Sequence, residues 1–190
     1  MEKKILATIL SVVILLPMFA VLPVAFADLE DDIEQSIEEG IAWLAGQQNA
    51  DGSWGSGGYK EPKTCFALIK LQNYAWEHDI SPFDPLYEYY DNVTKGWNYI
   101  FSTGSSPQAH AQNLSLQNHT SGATGTIDDP DANGNGIGIS VSLSSIEVYS
   151  TGIMLMALEA SRDPTRSSGV DFDGNGTADS FFDVAQDTAD

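Results

Sequence analysis

Residues 40–54 read Gly-Ile-Ala-Trp-Leu-Ala-Gly-Gln-Gln-Asn-Ala-Asp-Gly-Ser-Trp, and the change of character half-way along them decides the fold. On the upstream side, Ile33, Ile37, Ile41 and Leu44 recur at three- and four-residue steps. That is the period of a helix with one apolar stripe, and it predicts a half-buried helix over about 29–48. Glu30, Asp31, Asp32 and Glu34 crowd its first turns, where the helix dipole favours negative charge. Downstream, residues 49–58 are rich in glycine and break the helix. A second helix is expected after Pro62, a residue suited to a first turn; Cys65, Phe66, Leu68, Ile69 and Leu71 make it apolar nearly all round. Pro82 and Pro85 punctuate the path to a third helix over about 86–101. Residues 102–146, rich in Ser, Gly, Asn and Gln, show no sustained period and read as a long polar insertion. A fourth helix is expected over about 148–161, and a fifth begins at Phe181 after an acidic turn at 171–179.

The helices repeat. Glu39-Gly40-Ile41-Ala42-Trp43-Leu44 aligns with Lys95-Gly96-Trp97-Asn98-Tyr99-Ile100, and the run from Thr64 to Leu71 aligns with that from Thr151 to Leu158. Helices one and three are thus of one type and helices two and four of another. The unit is a helical hairpin, present twice with the start of a third.

Gly40, Trp43, Leu44, Gln48, Gly52 and Trp54 resemble the QW repeat of the squalene cyclase and protein prenyltransferase superfamily: a small residue, an aromatic, an aliphatic, then Gln and Gly-x-Trp. The run from Tyr149 to Leu158 is similar to the other helix of that family's hairpin. In the second copy Lys95, Gly96, Tyr99 and Ile100 remain, and Gln-Gly-x-Trp is lost where the insertion begins. The resemblance implies an all-α chain built as a partial α/α toroid, two hairpins and the start of a third, over residues 28–190. It implies that Gln48 and Trp54 are braces, the amide bonding backbone and the indole packing on the next repeat. Gly52 permits the tight positive-φ turn. Such toroids close with five to seven hairpins, so further repeats, in this chain or another, are expected to cover the open faces.

The resemblance brings no active site with it. The cyclases' Asp-x-Asp-Asp is missing, as are the thioester motif and the zinc-binding Asp, Cys and His of the prenyltransferases. His78, His110 and His119 have no ligand spacing, and Cys65 in its apolar run is a core residue. A hard cation is better served. Residues 171–179 resemble the first nine positions of an EF-hand-type loop, with Asp171, Asp173, Asn175 and Asp179 at alternate positions, the Thr177 carbonyl at the seventh and Gly176 at the sixth. Phe182 stands where the bidentate Glu would be, and Asp183 is the neighbouring substitute. A second acidic turn, 129–136, carries the early ligands but apolar Ile137 at its ninth position. Calcium is the expected cofactor, at the first loop above all. Asn92, Asn113 and Asn118 begin Asn-x-Ser/Thr sequons and are candidate glycosylation sites, and Asn175 begins a fourth that competes with the cation.

Composition sets the compartment. Residues 5–27 carry no charge, follow Lys3 and Lys4, and end Ala25-Phe26-Ala27. That is the layout of a secretory leader cleaved after Ala27, or of an uncleaved anchor long enough to span a bilayer. The rest is strongly acidic: the whole chain holds 27 Asp and Glu against 8 Lys and Arg. Phosphate and anionic headgroups attract the opposite sign, so nucleic acid is excluded as a partner and membrane attachment is left to the leader. The lone cysteine rules out an internal disulfide. The expectation is an exported or cell-surface toroid protein with a binding or scaffolding role. The alternative is the N-terminal part of a terpenoid cyclase or other toroid enzyme whose catalytic residues lie beyond Asp190.

Overall fold

A computed structural model of the protein describes residues 29–101, 109–113, 131, 133–141 and 147–189. The leader or anchor expected at 1–27, and the sequon at Asn118, lie outside the described residues. The chain divides after Trp43 into two units. Helix α1, residues 29–46, crosses that division. Its expected half-buried stripe is largely bare, with Leu29, Ile33 and Ile37 each about half exposed. Among the described residues no helix is long and apolar enough to cross a membrane.

The second unit, from Leu44 onward, is built around helix α2, Lys60–Glu77. Leu68, Leu71, Ala75 and Cys65 are fully buried, and α2 packs against α3, Tyr90–Phe101, and α4, Glu147–Ser161. One buried amide joins the three. Gln72 donates from Nε2 to the carbonyl of Ala157 at 3.0 Å, and its Oε1 accepts from Trp97 Nε1 at 2.9 Å. Trp97 and Tyr87 are both core residues. Tyr87 donates its hydroxyl to the Leu71 carbonyl at 2.6 Å.

Residues 82–89 are turns, so α3 starts four residues later than periodicity predicts. The all-α expectation is corrected inside the insertion. Strand β1, Ala109–Asn113, pairs antiparallel with β2, Ile137–Val141, with Ala109 opposite Val141 and Asn113 opposite Ile137. Ile139 and Val141 are buried, and β2 packs against α4 and α5, Phe181–Ala189. Among the described residues the chain is therefore mostly helical with one small sheet. Helix α5 opens with a reciprocal cap: Asp183 Oδ2 accepts from Ser180 N–H at 2.9 Å and from its hydroxyl at 2.7 Å, while Asp183 N–H returns to Ser180 Oγ at 3.2 Å.

Candidate metal centre

The loop from Asp171 to Asp179 is wound by its own side chains. Asp171 Oδ1 accepts from the N–H groups of Gly174 and Asn175, at 2.8 and 3.1 Å, and Oδ2 from Gly176 at 2.9 Å. Asp173 Oδ1 accepts from Asn175 N–H at 2.9 Å, and Asn175 Oδ1 from Thr177 N–H at 2.9 Å. Thr177 also donates its hydroxyl to Asn175 Oδ1. Gly174 and Gly176 take the left-handed backbone that lets successive amides turn inward.

This spiral brings together carboxylate oxygens of Asp171, Asp173 and Asp179, all within 4.8 Å of one another. An aspartate cluster within metal-binding distance is therefore present. The environments differ. Backbone N–H groups, Gly176 foremost, hold the Asp171 carboxyl below its ordinary range. Asp179 is 6% exposed; burial pushes its carboxyl up, against a hydrogen bond from Phe172 N–H at 2.7 Å. Crowded carboxylates with one buried member gain from a cation that neutralises them. All donors are oxygen, which suits a hard cation. Asn175, expected as a fourth side-chain ligand, donates from Nδ2 to Asp173 Oδ2 at 2.8 Å. Asp183 Oδ2, beyond the ninth position, caps Ser180. Phe172 turns inward from the loop, edge-on to Phe101 at 6.3 Å, and Phe101 stacks on Trp97 at 5.2 Å. The loop is thus anchored in the aromatic core.

A second loop follows the same circuit over the described residues 131 and 133–137; Asp129, the first residue of the expected turn, lies outside the described residues. Asp131 collects the turn: its Oδ1 accepts from Gly134 N–H and its Oδ2 from Gly136 N–H, both at 2.8 Å. Asn133 Oδ1 accepts from Asn135 N–H at 3.0 Å and Asn135 Oδ1 from Ile137 N–H at 2.8 Å. Laid side by side, Asp131-x-Asn133-Gly134-Asn135-Gly136 and Asp171-x-Asp173-Gly174-Asn175-Gly176 differ, among the named positions, only at the third, where Asn133 stands for Asp173. Aligning the two turns with each other, rather than each with an EF-hand, would have found this. Sequence reading also missed Asp187. That carboxylate on α5 is 2% exposed and accepts from Asn133 Nδ2 at 2.6 Å and from Asn135 Nδ2 at 3.0 Å, pinning the second loop to the helix after the first.

The motif residues lie elsewhere, in the turn after α1. Gln48 Nε2 donates to the carbonyls of Gly52 and Asn92, both at 2.9 Å. Trp54 is 3% exposed, and its Nε1 donates to the Leu44 carbonyl at 2.7 Å. Gly52 sits at φ 86°, where a Cβ would land on the carbonyl of Lys95 in α3. A Cβ on Gly96 would meet the Trp54 ring at 3.1 Å. Gly40 and Trp43, on the other side of the division, are exposed. Asn92 Nδ2, the atom a glycan would take, donates to Ala45 O at 3.1 Å and Gln48 Oε1 at 2.9 Å; Asn113 ends strand β1.

No family model matches the chain, and neither a curated protein nor a solved structure matches it.

Proposed function

We propose that this is an exported or surface-attached scaffold or binding protein of the α/α-toroid type, stabilised by calcium at residues 171–179. The observation that carries the calcium part is the convergence of Asp171, Asp173 and Asp179 oxygens within 4.8 Å on a loop of alternating oxygen donors. Calcium takes six to eight oxygens in flexible geometry, and the Thr177 carbonyl and water complete such a set. Magnesium demands a stricter octahedron and keeps more of its water. Support for the repeat reading comes from the turn at 48–54, where Gln48 and Gly52 rest against α3 and Trp54 bonds back to the end of α1. Export is supported by the basic, apolar and small-residue order of residues 1–27.

Calcium binding is tested by titration calorimetry and thermal melting of the intact protein, beside Asp173→Asn and Asp171→Ala. Saturation at 100 times Kd is worth about 2.7 kcal/mol, a rise of roughly 5–10 °C in Tm for a chain of this size. The expected outcome is heat and a Tm rise in the parent, and neither in the variants. A parent that gives no heat and no Tm rise removes the calcium part. Fractionation of the native host tests export: recovery in the cytosol alone would overturn it.

A further inference from the structure

Three Asn-Gly pairs occur in the chain, Asn133-Gly134, Asn135-Gly136 and Asn175-Gly176, and the first two fall in the loop pinned to α5. Asparagine is a thermolabile residue. It is most open to attack by the next backbone nitrogen when glycine follows, because glycine puts no Cβ beside that nitrogen. Here Gly134 and Gly136 lie at φ 77° and 78°, and nothing comes within 4 Å of a Cβ placed on either. Asn133 and Asn135 are both exposed, so water reaches them.

The hydrogen bonds of this loop go where that attack needs them. Ring closure requires the glycine nitrogen to lose its proton, the amide oxygen to take up negative charge and the amide nitrogen to depart. The N–H groups of Gly134 and Gly136 both donate to the Asp131 carboxylate at 2.8 Å, which sets a proton acceptor on each attacking nitrogen. Asn133 Oδ1 accepts from Asn135 N–H at 3.0 Å and Asn135 Oδ1 from Ile137 N–H at 2.8 Å, donors already in place for the developing oxyanion. The departing nitrogens, Nδ2 of Asn133 and of Asn135, donate to Asp187 Oδ1 at 2.6 and 3.0 Å. Nitrogen and target carbon belong to adjacent residues, so the five-membered ring closes without any encounter step. We propose that this loop deamidates itself at Asn133 and Asn135, with Asp131 taking the proton. In each event the glycine nitrogen bonds to the asparagine Cγ and passes its proton to Asp131. The Cγ–Nδ2 bond breaks, ammonia leaves with that proton, and water opens the succinimide to aspartate or isoaspartate. The sum is one amide and one water giving one carboxylate and one ammonium ion. The product sets a new negative charge against Asp187, which is 2% exposed, and has no N–H to give it. Like charges crowded at a buried site repel, so the modification frees the loop from α5. This rests on residues 131–137 and Asp187 and is independent of calcium at 171–179.

The test incubates the freshly purified intact protein with EDTA, so that no divalent cation competes for Asp131. Peptide mapping by mass spectrometry in heavy-oxygen water follows conversion at 133 and 135, and isoaspartyl methyltransferase labelling follows the isoaspartate. Conversion at both positions is expected to be at least ~10-fold faster in the folded protein than in the same chain held in urea. Asp131→Asn is expected to slow it to the urea rate, and Asp131→Glu, which keeps a carboxylate, to stay faster than Asp131→Asn. A folded chain slower than the urea-held one shows that the loop shields its amides and overturns the proposal. Equal rates for Asp131→Asn and Asp131→Glu reduce Asp131 to a structural part and overturn its role as the base. Asn135→Asp, encoded in the gene, is expected to melt several degrees below the parent; an unchanged Tm would overturn the release of the loop.

Discussion

At Gly52 two demands coincide: the backbone sits at φ 86°, and the space a side chain would need holds the carbonyl of Lys95. Each is costly for an L-residue, with left-handed strain alone worth about 1–3 kcal/mol. Gly52→Ala is therefore expected to lower Tm by roughly 5 °C or more in a thermal melt, whereas Gly57→Ala, at φ 72° with open space around it, pays only the backbone term. Equal losses at both positions would mean that the contact with α3 contributes nothing. The neighbouring Asp51 makes a pH prediction. Hydrogen bonds from the Ser53 hydroxyl and N–H, and from Lys60, hold its carboxyl at about 2 against an ordinary 3.8. A depressed carboxyl contributes stability above its unfolded pKa and loses it as pH falls through about 2. The Asp51 side chain is 49% exposed, so solvent screens the interaction and Asp51→Asn is expected to cost under about 1 kcal/mol at neutral pH. Urea denaturation should show that gap closing between pH 4 and 2. Gly52 and Trp54 were legible as a turn because glycine and tryptophan carry local signals. The pairing of Gln48 with Asn92 was not: the two lie 44 residues apart, and the sequon that marks Asn92 says nothing of it.

Among the elements, α2 is held by a single amide as much as by its leucines. Gln72→Leu keeps the volume but leaves Trp97 Nε1 buried without its partner, at about 1–3 kcal/mol, while the Ala157 carbonyl keeps its place in the α4 ladder. The expected outcome is a lowered urea midpoint with unchanged slope; no loss would mean that the indole N–H finds another partner. The helices were readable because each carries an apolar face of helical period. The exposure of the α1 stripe was not readable, since periodicity says which residues share a face and not what covers it. In the insertion, Ile137, Ile139 and Val141 alternate with Gly138 and Ser140, a short strand signal inside a polar stretch. Its partner, Ala109-His110-Ala111-Gln112-Asn113, has no β-branched or aromatic residue to announce it. The two acidic turns were found by their aspartates, but the register of the second depends on which carboxylate gathers the amides, and that is a property of the wound loop.

For the molecule as a whole, an excess of 19 negative charges works against compactness. Raising sodium chloride from about 0.01 M to 1 M shortens the screening length from roughly 30 Å to 3 Å. Tm is expected to climb steadily over that range, even without any divalent ion; a flat response would show that the charges are already spaced widely enough not to interact. The same scale gives meaning to the sequon at Asn92. Its amide is committed to two hydrogen bonds, and the Thr94 hydroxyl beside it is buried. Sugar transfer and closure of the 48–54 turn are therefore rivals for one nitrogen atom, and whichever comes first bars the other. In a glycosylating host the newly made chains are expected to divide into two lasting populations: a compact form bare at Asn92, and a sugar-bearing form that unfolds at lower temperature, separable by mass and by their melting curves. Asn92→Gln would merge them into one.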